Sequence, residues 1–215
     1  MPAVETWNAL EGPWRTAFDQ AWASFVDGNL GIGAVLVDPA TGEEVAAGHN
    51  RVHEASALPR TLSGNFMAHA EMNAFAAMDR FKASGLHLYT TLRPCLMCAA
   101  TSIFLNVQHV RFAADDEFFE GMDGLWHHHA YSRHRQPTVV GPIGGRLASL
   151  ARVLPLTVQT SVDPTNRALA VAHEKIPAVA ALAREFAADD TLTRLAADAD
   201  GVVDVLHQVW DRLPD

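Results

Sequence analysis

Between residues 33 and 114, stretches typical of β-strands alternate with stretches typical of α-helices. The first two strands are separated by the turn residues Asp38, Pro39 and Gly42, and this pattern predicts a hairpin. The later strand–helix–strand order, with short connections, favours parallel pairing and helices packed on a sheet. In chain order, the expected elements are strands at 33–38 and 44–49, a helix at 68–80, a strand at 86–92, a helix at 96–105 and a strand at 110–114. The sequence therefore predicts an α/β fold with an antiparallel hairpin at one edge of the sheet.

An amphipathic helix is predicted before the first strand. Trp14, Phe18, Trp22 and Phe25 follow the spacing of one helix face, and Gly28 can end the helix. Between the hairpin and the next helix, the polar residues from 50 to 65 predict a loop.

The chain after residue 115 has weaker patterns. Residues 118–131 are expected to be helical, and one further strand is expected at either 137–140 or 155–158. From residue 164 onward the chain is rich in alanine, with apolar side chains at helical spacing. We therefore expect a first domain at 1–145 and a mostly helical C-terminal extension at 146–215 that packs on it.

Composition limits the classes of function. The formal net charge is −9, from 25 acidic and 16 basic residues, and 49% of the residues are hydrophobic. This mixture is typical of a globular protein with a sizeable core and excludes disorder. The acidic balance argues against a nucleic-acid partner, because proteins that bind nucleic acids usually present a basic surface. The N-terminus lacks the features of a signal peptide, and no apolar run reaches the roughly 18 residues of a membrane span. We expect a cytoplasmic protein without a membrane partner.

Two short motifs, His69-Ala70-Glu71 and Pro94-Cys95-Leu96-Met97-Cys98, contain the residues with metal-binding chemistry. One imidazole and two thiolates are good ligands for Zn²⁺, and a catalytic zinc site leaves its fourth position to water. Cys95 and Cys98 lie at positions i and i+3 of a predicted helix, so their sulfur atoms share one face. The two predicted helix N-termini favour deprotonated sulfur. We predict one zinc ion per chain, held by His69, Cys95 and Cys98.

Glu71 is the predicted catalytic residue. It lies two residues from a predicted ligand and is not needed to bind the metal. A carboxylate at this position can accept a proton from the attacking water and return it to a leaving nitrogen. Attack of water on an amidine-like ring carbon with loss of ammonia is hydrolytic deamination.

These motifs resemble those of a known family. His-x-Glu followed by Pro-Cys-x-x-Cys is similar to the pattern of the cytidine-deaminase-like zinc enzymes, and the resemblance extends from about Phe18 to Gly124. His69, together with the segment 91–99, is similar to the branch that contains cytosine, guanine and tRNA adenosine deaminases. The resemblance implies a three-layer α/β/α sandwich with the deaminase domain at 1–145, and a homodimer. Arg93 stands where many relatives carry Glu.

The resemblance also implies roles for individual residues. It assigns the metal ligands and the proton shuttle to the four residues already named, and it adds substrate contacts at Asn50, Ala70 and Asp116. Asp116 corresponds to an acidic residue that, in the guanine deaminase pattern, contacts the purine amino group.

Two other interpretations explain parts of the same motifs. A purely structural zinc site would require a fourth protein ligand, for which His87 or one of His127-His128-His129 is available. A Cys-x-x-Cys pair alone is also typical of thiol–disulfide redox centres. Consecutive histidines do not face one way, so the triplet is more consistent with a pocket rim or with solvent than with a second metal.

The sequence leads to a ranked set of functions. The first is zinc-dependent hydrolytic deamination of a free nucleobase, nucleoside or related amino-heterocycle. The alternative is deamination of adenosine to inosine in tRNA, which requires a basic surface. The second alternative is a non-catalytic, zinc-stabilised interaction domain that uses the C-terminal helices as its binding surface.

Overall fold

The computed structural model describes residues 1–55, 59–199 and 201–215. Its sheet has the strand order β2-β1-β3-β4-β5. The strands are β1 (Gly33–Asp38), β2 (Glu43–His49), β3 (His87–Leu92), β4 (His109–Ala114) and β5 (Thr138–Val140). The helices are α1 (Ala3–Asn8), α2 (Gly12–Val26), α3 (Ala70–Ala77), α4 (Leu96–Phe104), α5 (Ala130–Arg133), α6 (Gly145–Val162), α7 (Arg167–Lys175), α8 (Pro177–Ala188), α9 (Thr191–Asp198) and α10 (Val202–Val209).

The sheet is mixed, and the hairpin β1–β2 forms one edge of it. Strand β3 pairs in parallel with β4, and β4 pairs in parallel with β5. Strands β2 and β3, which α3 connects, run in the same direction, as expected, but they do not pair, because β1 lies between them and is antiparallel to both. The chain leaves β2 through α3 and crosses β1 before it enters β3, so β3 runs in the direction of β2.

Helices cover both faces of the sheet, as a three-layer α/β/α fold requires. Along β1, Ala34 and Leu36 belong to an apolar cluster with residues of α3, whereas Val35 and Val37 belong to a cluster with α2 and α6. This alternation follows from the period of two residues along a strand. Helix α3 contacts α4, while α2 and α6 pack on the opposite face.

Three predicted elements, those at 155–158, 68–80 and 118–131, differ from the elements observed. The strand proposed at 155–158 is wrong, because these residues lie inside α6, where Leu147, Leu150 and Leu154 form a buried stripe at helical spacing. The competing proposal at 137–140 is confirmed by β5. The helix expected at 68–80 covers only Ala70–Ala77, because the residues at both of its ends have extended backbone.

The segment 118–131 is not one continuous helix. It contains 3-10 turns at Glu117–Phe119 and Met122–His127 before α5 begins. Gly121 between these turns has a φ of +79°, in the left-handed region, and this conformation interrupts the helix. Of the loop predicted at 50–65, residues 56–58 lie outside the described residues.

The C-terminal helices extend the core on the face that α2 covers. Val179, Leu182 and Phe186 are buried in α8, and Leu206 is buried in α10, in the same apolar cluster as Phe18 of α2. The division of the chain into units at 1–145 and 146–215 stays a prediction. Among the described residues, no helix is both long enough and apolar enough to cross a bilayer.

Candidate active site

The side chains of His69, Cys95 and Cys98 meet where α3 and α4 begin. His69 is the residue before α3, and Cys95 is the residue before α4. The Sγ atom of Cys95 lies 3.4 Å from His69 Nδ1 and 3.6 Å from Cys98 Sγ, and Cys98 Sγ lies 3.6 Å from His69 Nδ1. The predicted metal ligands therefore form a nearly equilateral triangle.

This triangle fits a tetrahedral zinc ion. Zn–S and Zn–N bonds of about 2.3 Å and 2.1 Å place the donors of a tetrahedron roughly 3.6–3.8 Å apart, close to the separations observed. In the part of the chain that the structure describes, no fourth histidine, cysteine or acid joins these three donors as a candidate ligand. The site therefore has the composition and spacing of a zinc centre with three protein ligands.

The charges around the donors favour metal binding. A hydrogen bond from the Cys98 thiol, together with one involving His69, lowers the pKa of Cys95 to about 4, so Cys95 is a thiolate at neutral pH. Burial lowers the pKa of His69, but the hydrogen bond with Cys95 and the charges of Glu71, Cys95 and Asp116 together raise it overall. The hydrogen bond with Cys95 and, after it, burial raise the pKa of Cys98. A bound cation reverses this effect because it stabilises the thiolate.

Glu71 lies directly beside this centre. It is the second residue of α3, it is 3% exposed, and its carboxyl group contacts the Cys98 thiol. Burial raises the pKa of Glu71 to about 7, and the charge of Cys95 acts in the same direction. A carboxyl group with a pKa near 7 exchanges protons efficiently at neutral pH.

Asn50 directly follows β2 and lies next to the metal-binding motif. The Arg51 N–H donates to the carbonyl of Ala68 at 2.8 Å, which ties this part of the loop to the residue before His69. The Oδ1 atom of Asn50 accepts a hydrogen bond from the Val52 N–H at 3.2 Å. Its Nδ2 is buried and has no hydrogen-bond partner among the described residues. A buried donor without a partner is rare and suits a ligand that carries an acceptor.

Ala70 and Asp116 complete the set of predicted site residues. Ala70 is fully buried as the first residue of α3, where helix N–H groups lack intrahelical partners. Asp116 follows β4, and its Oδ1 accepts a hydrogen bond from the Phe118 N–H at 3.0 Å. Burial raises the pKa of Asp116 to about 6. Its charge in turn raises the pKa of His69. The Arg93 N–H donates to the carbonyl of Ala114 at 2.8 Å, so the chain just before Asp116 lies beside the strand end that leads to Cys95.

The alternative ligands lie elsewhere. His87 stands at the start of β3 and packs against the ring of His109, with 4.3 Å between ring centroids. His127 lines a cavity of about 300 Å³ beside α4, and His129 accepts a hydrogen bond from the Tyr131 N–H. None of these histidines belongs to the cluster of metal-binding atoms found among the described residues.

Sequence patterns missed the residues that hold these groups in place. Asn73 donates to the carbonyl of His49 at 3.0 Å and accepts from the Leu62 N–H at 2.7 Å, so it fixes both ends of the loop beside the site. Arg152 of α6 binds Glu117, the residue after Asp116. The positioning role of Asn73 could have been suspected from the sequence, because it is a polar residue on an otherwise apolar helix face. No sequence pattern near Arg152 indicated its role.

Comparison with known proteins relates this geometry to a family. The model of the cytidine and deoxycytidylate deaminase zinc-binding region matches residues 10–114. A tRNA-specific adenosine deaminase of Aquifex aeolicus (strain VF5) is 30% identical over 112 residues, which cover 50% of this chain and 68% of that protein. The chain belongs to the cytidine-deaminase-like superfamily.

Other members of the superfamily show how far the similarity extends. A tRNA-specific adenosine deaminase of Bacillus subtilis (strain 168) is 35% identical over 106 residues, and the chain spans only 60% of its length. The solved structure of a guanine deaminase from Nitrosomonas europaea aligns with a TM-score of 0.50 and 23% identity, covering 70% of this chain and 85% of that one. The similarity to the solved guanine deaminase structure confirms the α/β fold of the superfamily. Membership supports zinc-dependent hydrolytic deamination as the class of reaction.

Proposed function

We propose that this chain deaminates an amino-substituted heterocyclic base by hydrolysis, with Glu71 as the catalytic residue. The observation that carries the proposal is the position of Glu71, a buried carboxyl group with a pKa of about 7 beside three zinc-binding donors. A structural zinc site has no use for such a group. When bound by His69, Cys95 and Cys98, zinc supplies a Lewis acid that makes water a nucleophile at neutral pH.

Glu71 moves the protons in this reaction. The oxygen of water bonds to the ring carbon that carries the amino group, the carbon–nitrogen bond breaks, and ammonia leaves. Glu71 accepts a proton from the attacking water and delivers it to the departing nitrogen, so the carboxylate is regenerated in each turnover.

Asn50, Ala70 and Asp116 are proposed to hold the substrate. The partnerless Nδ2 of Asn50 can donate to a ring carbonyl or ring nitrogen. The N–H of Ala70, at the start of α3, is a second donor. Asp116 offers an acceptor for an N–H group of the base, which suits a purine with amino and ring N–H donors, such as guanine.

A free base or nucleoside is the first candidate substrate. The net charge of −9 is unfavourable for a polyanion, and the arginines near the site, Arg51, Arg93 and Arg152, already bind acidic side chains. Zinc-loaded protein should release ammonia from at least one member of a panel of guanine, cytosine, adenine, their nucleosides and amino-triazines. Protein that holds zinc and releases no ammonia from any of them would contradict this candidate.

Adenosine in tRNA is the second candidate, and the relatives favour it. The Bacillus subtilis and Aquifex aeolicus proteins, at 35% and 30% identity, are tRNA-specific adenosine deaminases. Arg133 and Arg135, on or beside α5, are the cations proposed to contact the RNA. A salt-sensitive shift of tRNA in a gel, together with formation of inosine, would support this candidate. Failure to bind tRNA at low salt would remove it.

The homodimer and the cytoplasmic location also stay predictions. Exposed apolar side chains near the metal-binding motifs, Phe66, Leu96 and Phe104, are consistent with a partner subunit. Light scattering coupled to gel filtration should give twice the chain mass of 23.3 kDa, and a monomer at micromolar concentration would contradict the dimer.

A further inference from the structure

An unusually acidic segment connects β4 to the first 3-10 turns. Four of its five acidic side chains form ion pairs, and the cations come from three different parts of the chain. The five acids are Asp115, Asp116, Glu117, Glu120 and Asp123. We call residues 115–123 the acidic segment.

Arg93 binds the acidic segment from the side of the metal-binding motif. It lies two residues before Cys95, and its Nη1 donates to Asp115 Oδ1 at 3.1 Å while its Nη2 donates to Asp123. Its guanidinium also lies 5.1 Å from the centre of the Phe112 ring. The side chain is 19% exposed, so solvent screens these contacts less than those of a surface arginine.

The C-terminal helices bind the acidic segment from the other side. Arg152 of α6 donates from Nη2 to Glu117 Oε1 at 2.6 Å and from Nε to the carbonyl of Asp115 at 3.2 Å. Both partners of the Arg152–Glu117 pair are 16% exposed. Lys175, the last residue of α7, pairs with Glu120, and α7 packs on the 3-10 turn that contains Glu117.

Asp116 differs from its neighbours. Among the residues the structure describes, it is the acid of this segment that forms no ion pair, and its carboxylate accepts only the Phe118 N–H. The Arg93 N–H donates to the carbonyl of Ala114 at 2.8 Å, so the start of the acidic segment lies beside the strand end that leads to Cys95. The charge of Asp116 accordingly interacts with those of His69 and Cys95. The ion pairs thus neutralise every acid of the segment except the one proposed to contact the substrate.

We propose that Arg152 and Arg93 are positioning residues that hold the acidic segment from two sides, so that the Asp116 carboxylate stays beside the zinc-binding motif and free for a ligand. This proposal rests on the proposed function for the identity of the ligand, but the immobilisation of the segment does not depend on it. It also gives a role to the C-terminal helices, which lie beyond the region matched by the family model.

The proposal separates substrate binding from the chemical step. His69, Glu71 and both cysteines are on or beside α3 and α4. Among the described residues, the hydrogen bonds and ion pairs of Arg152 go to Asp115 and Glu117, so loss of Arg152 leaves the reacting groups in place. A loosened acidic segment weakens the contact of Asp116 with the base. The expected effect therefore falls on KM, and kcat changes little.

The test compares Arg152→Gln with Arg146→Gln, a matched control on the same helix. Arg146 is also a partly buried arginine in two ion pairs, but it binds Asp211 and Asp215 near the C-terminus. Hydrogen–deuterium exchange of the peptide that contains residues 115–123 and the kinetics of ammonia release from guanine are measured on zinc-loaded protein. Arg152→Gln should accelerate exchange in this peptide and raise KM for guanine by about ten-fold or more, with kcat within about two-fold of wild type.

Two further variants protect the test from a folding artefact. Arg152→Lys keeps the charge without the forked contact and should recover part of the KM change. Arg93→Gln acts from the opposite side and should also accelerate exchange in the acidic segment. Arg146→Gln should leave both measurements at wild-type values.

Each outcome decides a separate point. Unchanged exchange in Arg152→Gln overturns the proposal, and so does faster exchange with unchanged KM, because the segment would then be immobilised without serving the site. A parallel loss of kcat and zinc in Arg152→Gln also overturns it, because the residue would then support the whole centre. If wild-type protein releases no ammonia from guanine, the guanine assignment fails, while the exchange measurement still decides whether Arg152 holds the segment.

Discussion

Among single side chains, the carboxylate of Glu71 offers the sharpest test of catalysis. Glu71→Gln keeps the size and polarity of the side chain but removes its ability to carry a proton. We expect kcat to fall by about 10²–10⁴-fold, the contribution typical of general acid–base catalysis, with zinc content unchanged. Ammonia release and elemental analysis of the same preparation measure the two quantities.

Glu43→Gln is the control for this change, because Glu43 is an exposed residue at the start of β2. It should keep wild-type activity and zinc. If Glu71→Gln also retained full activity, Glu71 would not be the proton carrier. If neither the wild type nor the variant turned over any substrate, the alternative of a zinc-stabilised interaction domain would gain support.

Asp116 provides a prediction about pH and stability. Burial raises its pKa from 3.8 to about 6 in the folded protein. Because the folded pKa is the higher one, folding is favoured by protonation of this group, and its contribution to stability is lost as pH rises through about 6. The amide side chain introduced by Asp116→Asn cannot ionise, but its oxygen can still accept the hydrogen bond from the Phe118 N–H. The stability of this variant relative to wild type should therefore increase by roughly 1 kcal/mol between about pH 5 and pH 7.5.

Urea denaturation at the two pH values measures this difference. Asp79→Asn is the control for the loss of a carboxylate, since the Asp79 side chain is 91% exposed. A pH-independent effect of Asp116→Asn would show that Asp116 is ionised equally easily in the folded and unfolded chain. The same variant should weaken substrate binding, so the charge at this position costs stability and contributes to recognition.

At the scale of elements, the close contact between β2 and α3 sets the position of α3. A Cβ atom added to Gly48 would lie 2.4 Å from the Ala74 nitrogen and 2.8 Å from the Ala70 carbonyl oxygen, both in the backbone of α3. Gly48→Ala must therefore push α3, with His69 and Glu71, away from the sheet. We expect a loss of about 1–3 kcal/mol in the free energy of unfolding and weaker zinc binding.

Gly12→Ala is the matched control for Gly48→Ala. A Cβ atom at Gly12 meets nothing within 4 Å, and Gly12 lies in the first turn of α2. Its effect on the free energy of unfolding should stay within about 0.5 kcal/mol. Denaturation curves and competition with a metal chelator measure the two properties, and a Gly48→Ala protein with wild-type values for both would contradict the close packing of α3 on β2.

The elements differ in how well the sequence specifies them. Strands β1, β3 and β4 were predictable because each is a short run that contains β-branched, aromatic or other apolar residues. The position of β3 next to β1 was not, because local patterns contain no information about which strand an intervening helix crosses. Residues 155–158 resemble a strand when viewed alone, and only the longer stripe through Leu147, Leu150 and Leu154 reveals the helix.

The residues of the candidate site also differ in how well the sequence predicts them. His69, Cys95 and Cys98 were predictable because two short motifs contain metal-binding residue types at predicted helix starts. The structure brings the three side chains together. The cations that hold the acidic segment were not predictable. Arg152 is 35 residues from Glu117, and Lys175 is 55 residues from Glu120, and only the packing of α6 and α7 on this face makes those pairs possible.

At the scale of the whole molecule, one apolar cluster joins distant parts of the chain. It contains Trp7 of α1, Phe18 of α2, Val35 of β1, Leu150 of α6 and Phe186 of α8. A cluster shared in this way couples the C-terminal helices to the sheet that carries the zinc-binding motifs. We therefore expect the chain to unfold in a single cooperative transition, in contrast to two units that melt separately.

Leu150→Ala tests this coupling. Leu150 is fully buried in α6, and its truncation should lower the free energy of unfolding by about 2–5 kcal/mol. Circular dichroism, which follows mainly the helices, and the exposure of the Cys95 and Cys98 thiols, which follows the site, should shift together to the same lower denaturant concentration. Val162→Ala, at a side chain of the same helix that is 63% exposed, should shift neither. Loss of helical signal before the thiols become reactive would instead show that residues 146–215 unfold on their own, and that the deaminase fold does not need them for its stability.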